Sequence, residues 1–364
     1  MGSQSFNLTD YLSTGVSSLI RDAVRTSWQN PRELAFLARF AWVQCRAARL
    51  RADSEQKGRH IPPFLIASIA SQCNLFCRGC YARANQSCGR EPAETGLPVE
   101  RWREIFAEAK ELGVAFILLA GGEPLLCRPI LDQAAGIPGI LFPVFTNGTL
   151  IDAEYARFFS RHRNLLPVIS LEGPEEATDF RRGAGAYRTV LAAIDRLRQK
   201  NVLLGTSITV TTENLPAVLN ENFARTLFQQ GCRILFFIEY VPVTPETRDL
   251  APGDRERQEM EQRLNMLRRS FPEMILISFP GDEKQTGGCL AAGRGFFHIN
   301  AAGGAEPCPF SPFSDLSLRD HSLLEALDSP LFRRLDQEGL LLGEHTGGCQ
   351  LFEQEAEVRR LLEP

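Results

Sequence analysis

A chain of 364 residues, 44% hydrophobic and 23% charged, is long enough for one large folded domain with an appendage, and this composition excludes a disordered or low-complexity polypeptide. The net charge of −4 gives no global attraction to nucleic acid. The best apolar stretch, LAFLARFAWVQCRAARL, is interrupted by Arg39 and Arg46, so nothing spans a bilayer, and with no secretory start the expected location is cytoplasmic, where thiols stay reduced.

Charge is uneven along the chain. Residues 1–60 carry nine Lys or Arg against five Asp or Glu and read as helices. One starts near Asn7-Leu8-Thr9-Asp10, and another follows Asn30-Pro31, with Pro31 in its first turn. Leu34, Leu37, Ala38, Ala41 and Trp42 recur at helical spacing. Such a basic amphipathic helix can lie on a membrane or grip an acidic partner. Packing of the stripe on the main domain is the expectation taken here.

From residue 64 onward, β-type runs at 64–70, 114–120, 140–146, 165–171, 203–210 and 233–241 alternate with helical patterns near 99–112, 127–136, 152–162, 187–200, 215–230 and 254–271. Parallel neighbours need crossover connections, so this alternation predicts an α/β fold: a partial (β/α)6 barrel of the TIM type, open because it falls short of eight units. The expected organisation is an N-terminal helical segment over 1–60, the barrel over 61–273 and a small Cys-containing region over 274–364. Functional loops belong at the C-terminal ends of the strands.

The first such loop, SQCNLFCRGCYARAN, spaces Cys73, Cys77 and Cys80 as C-x₃-C-x₂-C directly after a strand. Three thiolates on one loop can hold one metal centre, and a cubane of four irons so held keeps one iron open. Structural zinc takes four ligands, commonly as paired C-x₂-C units, and no second pair lies near; a disulfide knot suits small secreted chains.

That triplet, followed by Gly121-Gly122-Glu123-Pro124 after the next strand, resembles the radical S-adenosylmethionine (SAM) enzymes over roughly residues 62–350. The resemblance implies a [4Fe-4S] cluster on Cys73, Cys77 and Cys80, with SAM on the open iron cleaved reductively to a 5′-deoxyadenosyl radical that abstracts hydrogen from substrate. It implies an electron donor such as flavodoxin or ferredoxin. It places the SAM ammonium on the backbone of Gly121, Gly122, Glu123 and Pro124. Asn147, Ser170 and Glu172, at the ends of the third and fourth strands, and Arg182 become ribose or carboxylate contacts. Relatives carry an aromatic residue just before the third cysteine; here that place is Gly79, and Tyr81 is the expected adenine wall. On the sixth strand only one of Glu239 and Tyr240 can point inward, and Glu239 is a candidate substrate contact.

Beyond residue 274 the sequence is rich in Gly, Pro and Cys. Cys289, thirteen residues, Gly303, four residues and Cys308 resembles the opening of the auxiliary-cluster extension called SPASM, or its shorter form, Twitch. Cys289, Cys308 and Cys349 are then ligands of a second [4Fe-4S] cluster. The full extension has a further cysteine where this chain has Ser311, so either one iron stays open for substrate or a fourth ligand comes from His298, His345 or Cys127. A plainer reading leaves Cys289 or Cys349 as buried thiols. Cys45 and Cys232 read as core, and Cys88 as a spare or regulatory thiol.

The substrate implied is a small molecule of cofactor or lipid metabolism, or a peptide. The N-terminal segment lacks the strand patterning of a leader-gripping module, which leans toward the small molecule. The competing function is an iron–sulfur electron carrier or scaffold that never turns SAM over, which has no need of six strands around a pocket.

Overall fold

The computed structural model describes residues 8–26, 30–91, 96–242, 245–283, 286–342 and 349–363. Two helices lead, α1 (Leu8–Thr26) and α2 (Pro31–Gln56). Asn30 caps α2, its side chain accepting from the Glu33 N–H, and Pro31 takes the first turn, where its missing N–H costs nothing. The strand–helix alternation follows: β1 (Phe64–Ala70), then α3 (Tyr81–Ala84) and α4 (Val99–Leu112); β2 (Phe116–Gly121) and α5 (Arg128–Ala135); β3 (Phe142–Thr146) and α6 (Ala153–Arg161). β4 (Leu165–Ser170) leads to α7 (Glu175–Arg182) and α8 (Ala186–Gln199), β5 (Leu204–Val210) to α9 (Leu215–Val218) and α10 (Glu221–Gln229), and β6 (Cys232–Glu239) to α11 (Asp254–Ser270).

The six expected strands form in register as a parallel sheet, each crossing over through its helices. The boundary expected at 273 falls short of the sheet. β7 (Ile275–Phe279) continues it, pairing parallel with β6, and β8 (His298–Ile299) joins the other edge on β1 with β9 (Ala305–Glu306) antiparallel beside it. The order is β7-β6-β5-β4-β3-β2-β1-β8-β9, so the late, Gly-rich region is woven into the sheet. Two-residue strands carry no periodicity, which is why the sequence hides them.

Alternation sorts each strand's side chains between two faces. Leu65, Ile117, Leu119 and Phe142 point outward to Ile105 and Phe106 of α4, with the Phe106 and Phe142 rings edge to face at 5.1 Å. The inward face is apolar at the N-terminal ends of the strands, where Leu166, Val168, Ile234 and Ile275 meet Leu37 of α2 and Ala23 of α1. α1 and α2 thus close the floor of the lumen and leave a cavity of about 500 Å³ walled by such residues as Phe64, Phe116, Pro143 and Phe236. The stripe that packs is Leu37, Phe40, Gln44 and Ala47. Trp42, expected in it, points to solvent at 71% exposure. Cys45, expected in the core, is also exposed, whereas Cys232 is buried.

Candidate active site

The early thiols lie at the C-terminal ends of the strands, on a loop held from three sides. The Cys73 N–H donates to the Gly89 carbonyl (3.0 Å), the Arg78 N–H to the Arg181 carbonyl (2.8 Å), and the Glu123 N–H to the Gln72 carbonyl (2.8 Å). Gly121 and Gly122 are needed for that last approach. A Cβ on Gly121, which has φ +118°, would stand 2.3 Å from the Ala70 carbonyl oxygen, and one on Gly122 would stand 2.0 Å from that of Gln72. The two glycines therefore admit the cysteine loop itself. Pro124 opens a short 3₁₀ turn over Pro124–Leu126.

The Glu123 carboxylate is buried and fully used. It accepts from the Thr146 hydroxyl (2.6 Å), the Asn147 N–H (2.8 Å) and the Leu125 N–H (3.0 Å). Burial pushes its carboxyl up to about 7 against the pull of those donors. Glu123 is thus a strut joining the ends of β2 and β3. It sets Asn147, whose Nδ2 donates to Asn74 Oδ1 at 2.8 Å and lies 3.9 Å from Cys73 Sγ.

Arginines and hydrogen-bond donors surround the early thiols. The Cys73 thiol is drawn down to about 6, first by a hydrogen bond from Cys88, with the Leu75 N–H, Arg83 and Asn147 assisting against burial. Cys88 keeps its proton on that hydrogen bond. Burial pushes the Cys77 thiol up, opposed by Arg182 and Arg181, while Cys80 and Cys73 are near enough to push it further. Arg182 Nη1 stands 3.9 Å from Cys77 Sγ and its Nε donates to Glu172 Oε1 at 2.8 Å. Arg181 pairs with the other Glu172 oxygen at 3.0 Å. The buried Glu172 therefore orients two guanidinium groups beside the thiols, and their charges hold its carboxyl below the usual range despite burial. The Ser170 and Ser207 hydroxyls lie 3.2 Å apart on the inward face below.

Two rings fall elsewhere than expected. Tyr81 packs edge to face on Phe310 at 5.0 Å, among Cys80, Cys88, Cys308 and Glu306, so it stands between the early and late cysteines and walls neither side of Gly79. Tyr240 fills that place, its hydroxyl 2.3 Å from where a Gly79 Cβ would stand. Tyr240 shares the inward parity of Phe236 and Ile238, while Glu239 points out to Arg257 of α11 at 3.1 Å, an ordinary ion pair. Tyr240, Arg181, Arg83 and Cys88 were missed as site residues. Arg181, beside Arg182, and Cys88, close to the triplet, carried a local signal.

The late cysteines converge from three separate segments. Cys308 is buried, its thiol hydrogen-bonded to Cys349 and close to Cys289, and that hydrogen bond, burial and both neighbours push it up. Among the described residues no three His, Cys, Asp or Glu side chains close on a single-ion position. A cubane asks for something else, because each of its thiolates takes a different iron. His298 is not a spare ligand: Nδ1 meets Glu306 Oε2 at 2.6 Å and Nε2 meets Ser68 Oγ at 2.7 Å. Cys127 neighbours Glu123 under the early loop. His345 lies outside the described residues. Ser311 is buried in the Cys308 loop, its hydroxyl without a partner among the described residues.

The family model of the radical SAM superfamily matches residues 68–222. The chain is 27% identical over 187 residues to the Fe-coproporphyrin III synthase of Methanosarcina barkeri, covering 48% of this chain and 46% of that protein, about half its length. It is 26% identical over 289 residues to the AdoMet-dependent heme synthase of Oleidesulfovibrio alaskensis, covering 70% of this chain and 72% of that one. Streptococcus suis SuiB bound to S-adenosylmethionine shares the fold, with a TM-score of 0.66 and 17% identity over 84% of this chain and 77% of that chain. So does anSMEcpe with bound AdoMet and Cp18Cys peptide, with a TM-score of 0.59 and 16% identity over 82% and 97%.

Proposed function

We propose that this chain, which belongs to the radical SAM superfamily and is a radical SAM enzyme, abstracts hydrogen from a small molecule with an apolar body and a polar reacting end, held in the barrel lumen. The observation that carries this reading is the layering of the lumen. Thiols, guanidinium groups and hydroxyls sit at its mouth, and an apolar cavity of about 500 Å³ lies at its floor. The names of the two synthases put the tetrapyrrole class first among such molecules.

Cys73, Cys77 and Cys80 would hold the SAM-binding cluster, and Cys289, Cys308 and Cys349 a second one. When bound, SAM on the first cluster supplies a carbon radical that takes hydrogen from substrate. The chain's own residues do the rest. Asn147 and the Leu75 N–H hold the Cys73 sulfur, and Arg182, aimed by Glu172, balances negative charge beside Cys77. His298 joins Glu306 at Nδ1 and the Ser68 hydroxyl at Nε2, tying β8 to β9 and β1 beside the lumen. Tyr240 shields the turn at Gly79 from water.

The test is anaerobic reconstitution with iron, sulfide, reductant and SAM, followed by assay of 5′-deoxyadenosine with and without Fe-coproporphyrin III. Formation stimulated by the porphyrin, with its consumption, is the expected result. No 5′-deoxyadenosine under any condition ends the reading, and formation indifferent to the porphyrin ends the substrate class.

A further inference from the structure

We infer that the solvent face of α2 docks the enzyme on an anionic lipid bilayer. Arg32, Arg39 and Arg46 repeat every seven residues and form one row along the helix, with Asp53 at its end; Ala35, Trp42 and Arg49 form the row beside it. All six residues from Arg32 to Arg49 in these rows are exposed, and Trp42, at their centre, is 71% exposed. Among the described residues no carboxylate pairs with any of the four arginines. The four charges therefore spread over about 25 Å of helix with an indole between them.

Three observations select a bilayer as the partner. A large aromatic ring amid unpaired arginines matches the headgroup boundary, where indole sits half-buried and guanidinium meets phosphate. The exposed Leu50 continues the Arg32–Arg46 side of the helix, adding apolar surface to the charge. The opposite side of the same helix packs inward through Leu37 and Phe40, which holds the arginine face to solvent. An acidic protein or nucleic acid would answer the arginines and leave the ring without a role. A membrane answers both.

The test uses the full chain, reconstituted with its clusters, floated with vesicles of phosphatidylcholine alone or mixed with phosphatidylglycerol. Binding is expected only with phosphatidylglycerol, weakening as salt rises, with a blue shift of tryptophan emission that disappears in Trp42→Phe. Arg39→Gln with Arg46→Gln should weaken binding roughly thirtyfold at unchanged circular dichroism. Failure to float with either vesicle, or equal binding by wild type and the arginine variant, overturns the inference. So does equal affinity for polyglutamate or duplex DNA, which would make the face a site for acidic macromolecules. A concentration-dependent dimer by light scattering that Trp42→Ala abolishes would assign the face to a second copy and overturn it as well.

Discussion

The two groups of cysteines solve one chemical problem in opposite ways. Cys73, Cys77 and Cys80 come from a single loop of eight residues, so their convergence is a local matter, finished by a few backbone hydrogen bonds to the ends of β1, α7 and the turn after β2. Cys289, Cys308 and Cys349 lie on three separate segments and meet beside β8, which pairs with β1, and β9, which pairs with β8. The early group is partly accessible at the mouth of the lumen. Cys289 and Cys308 are buried, with Tyr81 between the groups. Proximity in sequence made the first group robust and readable. Burial made the second dependent on the whole fold.

The sharpest way to break this comparison is to remove one thiol from each group. Cys77→Ala should abolish 5′-deoxyadenosine formation altogether. Cys308→Ala should keep SAM cleavage while product formation is lost. Irons should fall from about eight per chain to about four when Cys289, Cys308 and Cys349 are all replaced, as two cubanes become one. Four irons in the wild type would leave the late thiols without a cluster.

Smaller effects test what supports the early loop. Arg182→Ala should cost about 2 kcal/mol in denaturant unfolding, less than a fully orphaned buried charge because Arg181 remains on Glu172. It should also weaken SAM binding measured by calorimetry. Gly79→Ala should cost about 1–2 kcal/mol, since residue 79 has φ +65° and its Cβ would meet Tyr240; Tyr240→Leu in the same chain should return part of it. On the late side, His298→Asn should cost about 1 kcal/mol by leaving Glu306 or Ser68 short of a partner. If Arg182→Ala and His298→Asn shift cluster spectra equally, the two groups share one support and the contrast drawn above fails.

Much of this site was legible before any coordinates. The cysteine triplet, the GGEP turn and the six β–α units each rest on neighbours close in sequence, and spacing encodes such neighbours directly. Asn147, Ser170 and Glu172 were placed at the mouth because residues at strand ends in a parallel sheet share one rim, and Arg182 only because it resembles an arginine of radical SAM enzymes. The failures have one cause as well. Whether Trp42 or Phe40 of the same helix meets the sheet, whether Glu239 or Tyr240 turns inward, and which ring covers Gly79 depend on contacts with chain more than a hundred residues away or on a half-turn of phase. Periodicity gives the stripe and leaves its direction open.

The sequence by itself determined the cysteine triplet, the alternating α/β plan and the resemblance to radical SAM enzymes, because each is written in residues that act on near neighbours. Only the tertiary structure decided that β7 and β8 extend the sheet at both edges, that Cys88 leans on Cys73, that Tyr240 lies against Gly79, and that α1 and α2 close an apolar floor beneath a polar mouth. Those are choices among faces and partners, and burial of apolar surface against a particular neighbour is the force that makes them.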